Sequence, residues 1–191
     1  REAMATVLQH TRRKLDVDTV YHLLETGRIG PDERVELVDG ELLTMPAIGS
    51  RHASVTSRLI EQLFDATDRA AVLVTGSMPL RLDRYNELEP DVLVLTRRDD
   101  DYARSHPTPA DTLLVIEVSD STRAFDLGRK AELYARFGVA EYWVVDLVAG
   151  QVRVHRMPKG DAYAEVAVAA EGLLKPNALP DVALDVATVL P

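Results

Sequence analysis

The segment Thr112-Leu-Leu-Val-Ile-Glu-Val118 constrains the fold more than any other stretch of the chain. It is β-branched and almost wholly apolar, a composition suited to a strand covered on both faces of a sheet, so it is expected to lie centrally. The elements around it must supply that cover. Asp18–Thr26 carries Val20, Leu23 and Leu24 at helical spacing and is followed by Gly27, a stop. Val35–Val38 and Glu41–Met45 flank Asp39-Gly40, a pair that tolerates positive φ and predicts a hairpin. From Ser50, an available N-cap, to about Ala66, the positions Val55, Leu59, Ile60, Leu63 and Phe64 predict a long amphipathic helix. Strands are expected at Ala71–Thr75, Pro79–Leu82 and Val92–Leu95, and a polar, proline-bearing loop at Thr96–Asp111. A second long helix is expected over Arg123–Phe137, capped by Ser121 or Asp126 and stopped by Gly138. Glu141–Leu147 and Val152–Met157 read as a hairpin across Ala149-Gly150, followed by strands at Tyr163–Val168 and a terminal Val182–Val189 segment. Strands in a run broken by two helices predict an α/β fold of the α+β kind, with helices packed on a mixed central sheet.

At 191 residues the chain has the length of one domain, expected over 15–190. Arg1–Ala3, ahead of Met4, reads as an added remnant within a tail over 1–14. The start lacks the apolar core of a secretory leader, and no apolar run approaches the ~20 residues of a membrane helix. With no cysteine there is no disulfide, no thiolate zinc site and no cysteine nucleophile, so a cytoplasmic location without membrane contact is expected. A net charge of −9 argues against broad coating of nucleic acid, so any such contact must be local. Arg51, Arg58, Arg97, Arg98, Arg123 and Arg129 are the candidates to line a cleft.

Several chemistries are excluded by what the chain lacks: a Gly-x-Gly dinucleotide turn, a Gly-Lys-Ser/Thr phosphate loop, a Gly-x-Ser-x-Gly elbow and a close histidine pair for zinc. Few aromatic residues are available as a sugar platform. What remains is an acidic and basic set at strand ends. Glu89-Pro90-Asp91 begins one strand, and Glu117 lies near the end of the most apolar one, where a carboxylate is costly unless paired. Asp126, Lys130 and Tyr134 follow at four-residue steps on one helix face, so Lys130 can reach Glu117. Two carboxylates with a lysine make a metal site with a cation beside it. The same residues also read plainly: Asp91 as a strand start, Glu117 and Lys130 as a structural ion pair, Asp126 and Lys130 as a solvated helix pair, Tyr134 and Trp143 as core aromatics.

The motifs Arg34-Val-Glu-Leu-Val-Asp-Gly-Glu41, His52 opening a helix, Glu89-Pro-Asp91, Ile116-Glu-Val-Ser-Asp-Ser-Thr122, Asp126-x-x-x-Lys130-x-x-x-Tyr134 and Gly138-Val-Ala-Glu-Tyr-Trp-Val-Val-Asp146 together resemble the Uma-two family. That family is restriction-endonuclease-like and belongs to the PD-(D/E)XK nuclease superfamily. The resemblance implies a restriction-endonuclease-like core with a strand-rich C-terminal extension. It makes Asp91 the first acid and Glu117 the second, with the Val118 carbonyl beside them, holding Mg²⁺, for which Mn²⁺ can substitute. Where the superfamily places a lysine two residues after the second acid, this chain has Ser119, and Lys130 is the candidate replacement. Glu36, His52, Ser119, Asp126 and Tyr134 are expected around these groups.

Endonucleolytic hydrolysis of DNA is the function this implies. The alternatives are a catalytically silent assembly or regulatory protein that keeps the fold, and a metal-dependent phosphoesterase on a small substrate. A homodimer or larger homo-oligomer is expected from the strand edges after Trp143.

Overall fold

In the computed structural model, which describes residues 13–191, the chain begins with helix α1, Val17–Glu25, capped by Asp16, whose side chain accepts from the Thr19 amide. The expected tail and remnant fall mainly on residues 1–12, outside the described residues. Strands β1, Val35–Val38, and β2, Glu41–Thr44, pair across Asp39 and Gly40, both at positive φ. Gly40 is required there twice over, because a Cβ would also stand 2.5 Å from that of Lys14. Helix α2 spans Ser50–Ala66. Strands β3, Val72–Thr75, β4, Leu80–Asp83, β5, Asn86–Leu88, and β6, Val92–Thr96, follow. The polar loop then closes with a 3-10 turn at Pro109–Asp111 before β7, Thr112–Ser119.

After β7 the chain forms a short α-helical turn α3, Arg123–Phe125, a π turn at Asp126–Lys130, and helix α4, Ala131–Arg136. Strands β8, Glu141–Asp146, β9, Gln151–Lys159, and β10, Ala162–Ala169, complete the main sheet. The short strands β11, Leu173–Leu174, and β12, Leu184–Asp185, pair ahead of α5, Val186–Val189.

The six-stranded sheet runs β10-β9-β8-β7-β6-β3. All its neighbours are antiparallel except β7 and β8, which the broken helix joins as a parallel crossover. β7 is interior and its buried face residues divide two cores, as its composition requires. On one side Leu114, Ile116 and Val118 pack with Val55, Leu59 and Leu63 of α2. On the other, Val115 packs with Leu93, Leu133, Tyr134 and Tyr142. Each such fully buried aliphatic side chain contributes about 1.5–3 kcal/mol. A second sheet, β2-β1-β5-β4, stands beside the α4 face and carries the first hairpin.

The mixed sheet with packed helices agrees with the sequence reading, and four local expectations are corrected. Gly49, not Ser50, occupies the N-cap of α2, with no side-chain cap bond. Thr122 holds the N-cap position of the second helix, and that helix is not continuous: the chain widens to a π turn where Asp126 and Lys130 turn into the site. Residues 182–189 are a two-residue strand and a helical turn. β5 was not foreseen, being only three residues long between turns. Among the described residues no helix is long and apolar enough to cross a membrane.

Candidate active site

The β6–β7 register pairs Val92 with Ile116 and Val94 with Leu114, which sets Asp91 across from Glu117 on one face of the sheet. Both strands are interior, so the two acids meet at strand ends between layers. α2 reaches this end with its first turn: His52 Nε2 lies 3.0 Å from Asp91 Oδ2, and the Val118 amide donates to the same oxygen at 2.8 Å. Burial alone would raise the Asp91 carboxyl, yet these two groups hold it below its usual value. Val118 thus touches Asp91 through its N–H.

Glu117 receives its partners from the broken helix. Lys130 Nζ and Tyr134 Oη each donate to Glu117 Oε1 at 2.9 Å, and Lys130 Nζ also donates to Glu36 Oε1 at 2.9 Å. Asp126 Oδ1 lies 3.9 Å from the same ammonium, while Ser119 and Thr122 hydroxyls donate to Asp126 Oδ2 at 2.6 Å. The π turn makes this convergence. Asp126 and Lys130 are both 2% exposed, so they are a buried pair and not a solvated one. The Asp126 carbonyl at that turn accepts from Tyr142 Oη at 3.0 Å.

Burial pushes Glu117 well above the usual carboxylate range against the pull of Lys130, and it raises Asp126 in the same way. Burial also opposes the Lys130 charge, but Glu117, Glu36 and Asp126 outweigh it and hold the ammonium above its ordinary value. Lys130 is therefore charged throughout the physiological range.

Glu36 enters because β1 pairs with β5, Leu37 opposite Glu87, and the Glu89 amide donates to Glu36 Oε1 at 3.0 Å. Its other oxygen, Oε2, is buried without a partner among the described residues. The expected site residues thus meet at one end of β6 and β7 in three hydrogen-bonded groups: Glu36, Glu117, Lys130 and Tyr134; His52, Asp91 and Val118; and Ser119 with Asp126.

Of these, Glu36, His52, Asp91, Glu117, Asp126 and Lys130 border a cavity of about 180 Å³ that opens to solvent. Six carboxylates line it: Glu36, Glu89, Asp91, Glu117, Asp120 and Asp126. Among the described residues, only Lys130, Arg34 and His52 face them. Such a cavity concentrates cations and repels a phosphodiester until its charge is offset. Among the described residues no three His, Asp or Glu side chains form a ready metal cage. Mg²⁺, however, is commonly held by one or two carboxylates and completed by waters and substrate oxygens. Asp91 Oδ1 and Glu117 Oε2 take no hydrogen bond among the described residues, and Glu36 Oε2 has none. The hard oxygen set fits such an ion.

The six arginines expected along the cleft are not there. Arg51 donates to the Leu147 carbonyl, Arg58 to those of Thr188 and Leu190, and Arg97, Arg98, Arg123 and Arg129 pair with Asp101, Asp100, Asp146 and Glu132. None lines the cavity. Arg34 does, and the sequence reading gave it no role. Its signal was alternation, since a residue two before Glu36 in an extended segment faces the same side.

A family model, Uma2, described as "Putative restriction endonuclease", matches residues 18–187. Among solved structures, the crystal structure of "a putative nuclease belonging to DUF820" from Anabaena variabilis superposes with a TM-score of 0.68 at 15% sequence identity, covering 87% of this chain and 96% of that one. That likeness shows the restriction-endonuclease-like fold. No curated protein matches the chain.

Proposed function

The chain belongs to the Uma2 family, and from that premise we propose that it is a Mg²⁺-dependent endonuclease hydrolysing phosphodiester bonds in DNA, with Asp91, Glu117 and Lys130 as its catalytic residues. The observation that carries this reading is Lys130 Nζ at 2.9 Å from Glu117, itself set across from Asp91, at an acid-lined cavity. When bound to Asp91 and Glu117, Mg²⁺ supplies a lowered pKa for a coordinated water and polarises the phosphoryl oxygens.

The chain's own groups do the rest. His52 and the Val118 amide keep Asp91 ionised and aimed, leaving Oδ1 for the cation. Tyr134 and Lys130 fix one oxygen of Glu117 and leave the other. An ammonium has three donors, and Lys130 directs two at Glu117 and Glu36. The third is available to the attacking water or to a phosphoryl oxygen as charge develops on it. Ser119 binds Asp126, which holds the π turn in place.

Circular plasmid DNA tests the proposal. Nicking or linearisation with Mg²⁺ or Mn²⁺, abolished by chelation, is expected. The acid-rich cavity and the committed arginines favour a phosphoesterase on small substrates as the second reading. Hydrolysis of bis(4-nitrophenyl) phosphate with plasmid left intact would select it.

We further propose a two-fold homodimer through β10, which is the edge strand of the main sheet and exposes Val166 and Val168, each at 52%. Sedimentation should give twice the 21.1 kDa chain mass at micromolar concentration. A monomer would contradict it.

A further inference from the structure

Beside the acid-lined cavity lies a second one, of about 280 Å³, between α1 and the first hairpin. Val20, Tyr21 and Leu24 of α1, Val35 and Leu37 of β1, and Pro79 form its apolar wall, and Glu33, Arg34, Glu87 and Glu89 an equally extensive polar one. Arg34 and Glu89 line both cavities and form the partition between them.

The Arg34 side chain makes no hydrogen bond or ion pair among the described residues and acts on Glu89 only through its charge, whereas most of the other arginines are engaged. Glu89 is half-buried, and its side chain takes no hydrogen bond among the described residues. By contrast Glu87 and Glu33, the other carboxylates of this wall, are held by Arg81 and by the Gly30 amide. Tyr21 is fixed by His106, Oη to Nε2 at 2.8 Å, so the wall it contributes is pre-formed. Leu24 is 38% exposed at this wall, a large apolar side chain with little covering it.

We propose that this cavity receives a nucleobase of the substrate, so that the scissile strand binds with the nucleotide next to the cleaved phosphate unpaired. The inference rests on the nuclease reading above and narrows its substrate to single-stranded or locally opened DNA. The carboxylates of the polar wall repel a phosphate, whereas the apolar wall matches the faces of a base, and Glu89, whose side chain takes no hydrogen bond among the described residues, matches its amino edge. Arg34, on the partition, meets the phosphate that joins the two positions. A base stacked in duplex cannot enter a recess in the protein without leaving the helix, at a cost of a few kcal/mol, so paired DNA is the poorer substrate.

Two strands of equal length test this, one of ordinary single-stranded DNA and one built from abasic residues. The wild-type protein with Mg²⁺ is expected to cleave the intact strand about tenfold faster or more, the size of one base contact. Leu24→Trp, which fills the cavity from its exposed wall, should bring that ratio close to one. Leu24→Phe gives the same readout if thermal melting shows the tryptophan variant unfolded. A wild-type ratio near one, or a ratio unchanged by filling the cavity, overturns the base site while leaving the nuclease reading intact. If neither strand is cleaved, the nuclease reading fails, and anisotropy with the same labelled strands decides the cavity. Tighter binding of the intact strand, lost in Leu24→Trp, keeps the site; equal binding removes it.

Discussion

Lys130→Ala is expected to lose about 3–5 kcal/mol of folding stability, because it leaves buried carboxylates without their shared cation. The ammonium is 3% exposed and donates to Glu36 and Glu117 at 2.9 Å, with Asp126 at 3.9 Å. The loss should depend on pH in a stated direction. Burial already raises Glu117 and Asp126, and removing Lys130 removes the main opposing pull. A carboxyl whose folded pKa is raised stabilises the fold below its unfolded value and loses that stabilisation as pH rises through the folded one. Urea unfolding should therefore show a small deficit near about pH 4.5 and the full one near about pH 7.5. An equal deficit at both would mean that the three acids do not depend on Lys130. The substitution should also cost about 10²–10³ in cleavage rate, while divalent cations still bind and restore part of the lost stability.

Asp91→Ala should fail differently. Its fold should survive, since Asp91 stands at the end of β6 and its removal relieves a crowded acid cluster. Activity should fall by about 10³ or more, the several kcal/mol that a correctly held cation contributes to the transition state. His52 and the Val118 amide would be left facing an empty position. An Asp91→Ala protein that cleaves at the wild-type rate would remove this acid from the mechanism.

Much of this arrangement was legible in the sequence. Glu117 stood out because a lone carboxylate in an otherwise apolar strand needs a partner, and helical periodicity placed Lys130 and Tyr134 where they meet it. The Asp39-Gly40 turn and the Gly138 stop follow from positive φ, which is local information. What escaped was set by tertiary contact. β5 is short, and only its pairing with β1 brings Glu36 and Arg34 to the site. The π turn has no periodic signature, since it is imposed by packing Asp126 and Lys130 inward around Tyr142. The arginines were misjudged because sequence shows their number but not their partners: Arg123 is taken by Asp146 and Arg51 by a carbonyl.

On the proposed mechanism, the carboxylates at the joined ends of β6 and β7 hold a divalent cation for phosphodiester hydrolysis. Calorimetric titration of the wild-type protein and of Asp91→Ala with Mg²⁺ and Mn²⁺ tests it most directly. Saturable binding to the wild type that disappears in Asp91→Ala is the predicted result. No binding to the wild type, or equal binding to both proteins, would contradict it.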